Sequence, residues 1–279
     1  MKRHAHLVRI FGVLLLGGTL LIQCNKKKED PSGPESTVPE NFARKVLIEE
    51  VTGEWCAACP GGATKLQQIK QSYPGKVTII SVHQGDPFEH TDYYRMLSTW
   101  QASYSGDNTI YFPSAAFDRR LWNQGKILLL SKSDWDGALS DRLSVTTDAG
   151  LYIEANLAEG KIYANIYAAT KADYNNIRLT VCLIEDNIPE SSPGAQENGG
   201  GDYIHHDVLR ATFTPVEGEV ISLHPGNVLK KTYTLPVKSE YKTENLYVIA
   251  FISHDDAANK NHVVINAQEA KVGEESGWN

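Results

Sequence analysis

The chain has 279 residues, 41% of them hydrophobic, enough for two ordinary domains with buried cores. Its formal net charge is −7, with no basic cluster beyond the first 31 residues, which excludes phosphate-tracking functions such as nucleic-acid binding. Four cysteines (Cys24, Cys56, Cys59 and Cys182) are too few for a disulfide scaffold.

The N-terminus reads as an export signal. Lys2, Arg3 and Arg9 flank an apolar run from Ile10 to Ile22. At about 1.5 Å per residue that run falls short of a bilayer core of about 30 Å, so a signal is predicted rather than a span. Leu21-Ile22-Gln23-Cys24 resembles a loose bacterial lipoprotein processing box. That likeness implies removal of residues 1–23, a mature charge of −10 and a lipid on Cys24; an ordinary secretory signal beside a cysteine is the alternative. Residues 24–42 are polar, Pro-rich and without periodicity, a predicted solvated tether. Within it, Lys26 to Asp30 resembles the export signal that follows the lipid-bearing cysteine in surface lipoproteins of the Bacteroidota, although any lipoprotein tether is polar.

Order is expected from about Arg44. Residues 45–52 (KVLIEEVT) are mostly apolar and β-branched up to Gly53, a buried strand. Ala63, Leu66, Ile69 and Tyr73 then recur at helical spacing until Pro74-Gly75, and residues 77–82 (VTIISV) read as a strand covered on both faces. Strand, helix and strand make a βαβ unit. Tyr93, Leu97, Trp100 and Tyr104 mark a second helix, Ser114 to Phe117 a strand, and residues 131–143 an amphipathic helix starting at a Ser or Asp cap. Residues 126–130 fit either an edge strand or the start of that helix.

Near Ser144 the texture changes. Residues 151–157, 161–168, 177–185, 207–213, 230–235, 246–253 and 262–267 are short, often alternating runs between turn residues, which predicts an all-β sandwich of immunoglobulin-like type. The long acidic, Gly- and Pro-containing loop 186–202 is either a binding element or mobile.

Chemistry concentrates at Trp55-Cys56-Ala57-Ala58-Cys59-Pro60, a Cys-x-x-Cys pair between a strand and a helix, where helix N-terminal amides favour a thiolate. Pro60 fits a first helical turn, whose amides have no intrahelical partner. The stretch from Ile48 to Cys59 is similar to the strand-turn-Trp-Cys-x-x-Cys segment of thioredoxins, with Glu50 where those proteins keep a buried acid. By that resemblance Cys56 is the exposed attacking thiolate, Cys59 resolves the mixed disulfide, and Glu50 handles the proton of Cys59. Tyr111-Phe112-Pro113-Ser114 stands where thioredoxins carry a cis-proline. The likeness implies that Phe112 offers its backbone to an extended substrate, beside Trp55, while Pro113 keeps metals from the sulfurs. Ala57-Ala58 departs from the Gly-Pro of thioredoxin and leaves the potential open; a structural or vestigial disulfide remains an alternative, and zinc lacks two further ligands. His83, at the end of its strand, is an auxiliary candidate or simply a polar terminus. His205 and His206 point to opposite faces of a strand and make a poor chelate as a pair. Cys182 reads as a buried free thiol.

The processing box, the Trp-Cys-x-x-Cys-Pro segment, Phe112 to Arg119 (FPSAAFDR) and His205 to Ala211 (HHDVLRA) together resemble a family of Bacteroidota outer-membrane lipoproteins related to a 28-kDa outer membrane protein, over roughly residues 43–270. The resemblance implies an α/β thioredoxin-like domain (43–145) followed by an all-β immunoglobulin-like sandwich (146–271) and a tail (272–279). It also implies a lipid anchor in the outer membrane, on the periplasmic or cell-surface side. The expected function is thiol-disulfide exchange with protein thiols or disulfides, without cofactor, metal or nucleic acid. Two alternatives stand beside it: a non-enzymatic surface binding or adhesion protein with a structural Cys56–Cys59 bridge, and nutrient or glycan capture.

Overall fold

The computed structural model describes residues 34–106, 108–122, 125–130 and 132–279. The export signal, Cys24, residues 24–33 of the tether and the Ser131 cap lie outside the described residues. The protein is mostly β-sheet with few helices. β1 (Val46–Thr52) runs parallel to β2 (Val77–His83), in register from Val46↔Val77 to Thr52↔His83, with α1 (Cys59–Ser72) as the crossover. α2 (Thr91–Ser105) starts at His90, whose side chain accepts from Tyr93 N, and stops at Gly106, which takes the left-handed φ of 72° that a glycine adopts without steric cost. β3 (Ser114–Phe117) lies antiparallel to β1, and α3 (Lys132–Leu143) follows. Residues 126–130 form no strand of their own; Leu129 makes a single bridge to Ala115.

After α3 the chain is all strand: β4 (Ala149–Ala158), β5 (Lys161–Thr170), β6 (Tyr174–Glu185), β7 (Ile188–Pro189), β8 (Ile204–His205), β9 (Val208–Thr212), β10 (Glu219–Leu223), β11 (Leu229–Pro236), β12 (Leu246–Ser253) and β13 (Val264–Lys271). β7, β8 and β10 were not foreseen; the first two have two residues each, too short for an alternation to show.

A single mixed sheet runs β13-β12-β6-β9-β2-β1-β3, with β10 continuing beside β6 after β9. It joins the two halves of the chain where β9 pairs parallel to β2 at Ser81↔Val208. One face, with Leu47, Val51, Ile80, Cys182, Ile249 and Phe251, packs under Tyr93, Met96 and Leu97 of α2. On the opposite face α1 and α3 cover the first half through Leu66, Ile69, Trp135 and Leu139. A separate sheet, β11-β5-β4, covers the second half over a core of Ile153, Ile166, Val181, Leu183 and Val248. This second half is two-layered, as a sandwich requires, but its larger sheet is the one that also carries β1 and β2.

The first and last described residues are tied in. The Phe42 ring packs at a tilt against Trp278, 6.2 Å between centroids, and Trp278 Nε1 donates to the Pro34 carbonyl (3.0 Å). The last residues run along β4, with Ala155 N donating to Glu274 O (3.1 Å) and Ser276 N to Ile153 O (2.9 Å).

Candidate functional site

β1 carries two consecutive acids, and strand alternation sends them to opposite faces. Glu49 faces α2, where it accepts from Tyr93 Oη (2.6 Å) and from Arg119 Nη2 (2.7 Å) and Nε (2.9 Å). Glu50 faces α1, fully buried, and its Oε1 has no hydrogen-bond partner among the described residues. Burial, reinforced by the charge of Asp207, pushes the Glu50 carboxyl up to about 8, against the pull of a Ser81 hydrogen bond and of Lys132. Gly62, in the first turn of α1, makes the room. A Cβ there would stand 2.6 Å from Glu50 Oε1 and 2.9 Å from the Pro113 ring.

Between β1 and α1 the chain turns tightly, with Cys56 N donating to Gly53 O (3.0 Å) and Cys59 N to Cys56 O (3.1 Å). Cys56 and Cys59 are joined as a disulfide. α1 begins at Cys59, with Pro60 in its first turn. The Phe112–Pro113 peptide is cis. Trp55 is 45% exposed; its Nε1 donates to Gln84 O (2.7 Å) and its ring packs on Phe112 at 4.9 Å. Glu50, Trp55, Cys56, Cys59, Phe112 and Pro113 therefore gather around one helix start. The main chain of Phe112 makes no hydrogen bond among the described residues. A cavity of about 580 Å³ opens beside the proline turn, lined by Ile110, Tyr111, Trp122, Leu128 and Leu130.

One expectation is corrected. Cys56 is not exposed: its relative exposure is 5%, and that of Cys59 is 2%. The loop after β7 folds back over this turn. Gln196 Nε2 donates to Cys56 O (3.2 Å), Asn198 Nδ2 to Ala57 O (3.3 Å) and Glu197 N to Glu54 O (2.7 Å). The buried Glu54 carboxylate accepts from Ser191 N (2.7 Å) and Ser191 Oγ (2.5 Å).

His83 ends β2, opposite Thr52, with its Nδ1 2.6 Å from Asp86 Oδ2. Burial acts to raise the Asp86 carboxyl, but His83 and the amides of Glu54 and Phe88 outweigh it and hold the group low. His205 packs edge-on against His83 at 4.9 Å, with its Nε2 3.4 Å from Glu54 Oε1. Burial, with the nearby His83, pushes its pKa down to about 4. His206 turns the other way, to Asp186 (2.7 Å). Cys182 is a buried free thiol under α2, away from the dithiol turn.

Sequence reasoning missed Glu54, Gly62 and residues 190–198 as parts of the site. Gly62 did carry a signal, since a glycine inside a helical pattern costs about 1 kcal/mol against alanine and usually has a packing reason. Glu54 and the loop carried none, because their meeting is a long-range event.

Residues 101–276 match the family model described as outer membrane protein Omp28. No curated protein matches the chain. Among solved structures, HBP35 of Porphyromonas gingivalis superposes with a TM-score of 0.68 at 21% identity, over 84% of this chain and 76% of that one. A protein from Agrobacterium tumefaciens gives a TM-score of 0.53 at 16% identity, over 83% and 96%. A domain of the outer membrane lipoprotein Omp28 from P. gingivalis aligns at 18% identity over 45% and 88%, with a TM-score of 0.33.

Proposed function

The chain belongs to the Omp28 family of outer membrane proteins, and from that premise we propose that it is a thiol-disulfide oxidoreductase of the outer membrane, built on a thioredoxin-like first half and anchored by a lipid on Cys24. The observation that carries this reading is Glu50. A buried carboxyl without a full set of partners costs stability, and a purely structural disulfide has no use for one. With a pKa of about 8 it is protonated at pH 7 and stands beside the helix turn that begins with Cys59.

Exchange starts from the bonded pair. A client thiolate attacks Cys56 Sγ, forming a mixed disulfide and breaking the Cys56–Cys59 bond. Cys59 leaves as a thiolate and takes the Glu50 proton. The second client thiolate attacks its own sulfur in the mixed disulfide and releases Cys56. Two electrons pass from the client dithiol to the cysteine pair, and the reverse sequence reduces a client disulfide. The main chain of Phe112, without a hydrogen bond among the described residues, is the edge on which an extended client segment aligns. Apolar client side chains have the neighbouring cavity to enter.

The test is the reduction potential of the Cys56–Cys59 pair in folded protein, equilibrated against defined thiol buffers. A potential between about −120 and −270 mV, reached without unfolding, is expected of a working redox couple. A couple below about −300 mV that exchanges only on unfolding refutes the reading. The burial of both cysteines favours one rival, a surface binding protein in which the bridge only braces the fold. That rival predicts the second result and unchanged binding in Cys56→Ser.

A further inference from the structure

We infer that Glu54 is a positioning residue for this site: it latches residues 190–198, supplied by the second half of the chain, across Cys56, so that only a client able to displace this strap reaches the sulfur. The inference rests on the oxidoreductase reading above.

Glu54 uses every polar group it has at the junction. Its N–H donates to Asp86 Oδ2 (2.9 Å), its C=O accepts from Glu197 N, and its carboxylate holds both the amide and the hydroxyl of Ser191. It is buried, yet it stands immediately before the exposed Trp55 and the reactive Cys56. Hydrogen bonds to a buried carboxylate are the strong class, so the Ser191 end of the strap is the firm one.

The remainder of the strap is built to come off. It springs from the short β7–β8 ladder, where Ile188 pairs with His205 and Pro189 with Ile204. The Glu190 carboxylate organises the bend by accepting from Gly194 N (2.8 Å) and Gln196 N (3.0 Å). From Ser191 to Asn198, Gln196 alone is buried; it reaches in to the Cys56 carbonyl. Gly200 and Gly201, both at positive φ, return the chain toward β8. A segment with one buried side chain and solvent-facing backbone bonds opens locally at low free energy, without unfolding the sheet beneath. What the strap occupies is the carbonyl edge of residues 56–57. An arriving client therefore has to replace the amide donors of Gln196 and Asn198, and that requirement discriminates between clients.

The test follows reduction of the Cys56–Cys59 bond by dithiothreitol under native conditions in the purified full-length chain. The reagent dithiol becomes a cyclic disulfide, the protein pair becomes two thiols, and the new thiols are counted by mass-tagging with an alkylating agent. Glu54→Ala is expected to raise the rate by about tenfold or more, as is replacement of residues 191–202 by an Asn-Gly turn. Gln196→Ala should give a smaller rise. The strap-shortened variant keeps Glu54 and the turn it anchors, so it answers the question even if Glu54→Ala misfolds. Wild-type exchange that is measurable and equal in all variants overturns the latch and leaves the oxidoreductase reading standing. Absence of native-state exchange even in the strap-shortened protein overturns both.

Discussion

Glu49 and Glu50 are adjacent, equally buried, and opposite in what surrounds their charge. Glu49 has a guanidinium and a phenol; Glu50 has a proline ring, a glycine, the Ser81 hydroxyl and one oxygen without a partner among the described residues. Glu49→Gln should therefore cost about 3–5 kcal/mol, because it strands the buried Arg119 charge. Glu50→Gln should cost little or stabilise, and it should change the pH dependence. The folded-state pKa of Glu50 is about 8, above its ordinary 4.5, so between those values the folded protein holds a proton that the unfolded chain releases. Stability from this group is complete below about pH 4.5 and is lost as pH rises toward 8, by at most about 1.4 kcal/mol per unit. Urea unfolding at intervals from pH 6.5 to pH 8, above the range in which His205 titrates, should show that downward slope in the wild type and its loss in Glu50→Gln. An identical slope in both would remove Glu50 as the buried titrating acid. His205 works in the other direction. Its pKa falls from 6.5 to about 4, so its contribution is complete above pH 6.5 and is lost as pH drops through that window. The position of Glu50 could be counted back from Cys56 in the sequence; the pairing of Glu49 could not, since its partners come from residues 93 and 119.

At the scale of elements, α1 shows which local rules were sufficient. Leu66 and Ile69 face the core as their spacing predicts, and α2 buries Tyr93 and Leu97 for the same reason. The start of α1 breaks the propensity rule with Pro60-Gly61-Gly62. Helix propensity alone gives Gly→Ala about 1 kcal/mol of stabilisation. At Gly62 the new methyl meets Glu50 Oε1 at 2.6 Å and the fixed Pro113 ring at 2.9 Å, and overpacking of that kind costs about 1–3 kcal/mol. Gly62→Ala should thus lower the urea midpoint at unchanged m, while Gly137→Ala in α3, where nothing stands within 4 Å, should raise it. A gain in both would mean that the approach of Glu50 and Pro113 to α1 is loose. The strap shows where local rules stop. Its Gly- and Pro-containing composition marks residues 186–202 as a loop, but docking against Cys56 depends on residues about 140 positions away, which no periodicity encodes.

At the scale of the molecule, the change of texture near Ser144 does mark where helices end and a run of strands begins, since α3 stops at Leu143 and β4 starts at Ala149. What the texture cannot carry is that β2 takes β9 as its neighbour, because strand pairing across more than 120 residues leaves no local trace. The weld is more than one ladder. Asp118, fully buried at the end of β3, accepts from Leu47 N (2.9 Å) and from Arg142 Nε (3.0 Å), pairs with Arg44, and through its carbonyl receives Val264 N (2.8 Å). Arg44 in turn donates to the carbonyls of Val264 and Ile265. The Asp118 carboxylate thus binds β1 and α3 directly and reaches the start of β13 through Arg44, a single charged knot with two buried guanidinium groups depending on it. Asp118→Ala leaves both without a counter-charge and should cost about 3–5 kcal/mol. Because the knot spans both halves, the loss should be felt by both at once. In a Trp278→Phe background, tryptophan fluorescence, which then reports Trp55, Trp100, Trp122 and Trp135 in the first half, and far-UV circular dichroism, which is dominated by the strands, should give coincident urea transitions. In Asp118→Ala both midpoints should fall together at unchanged m. A fluorescence transition that moves while the strand signal stays would show that the shared sheet does not couple the halves, and that the strap over Cys56 is held by a neighbour able to unfold independently.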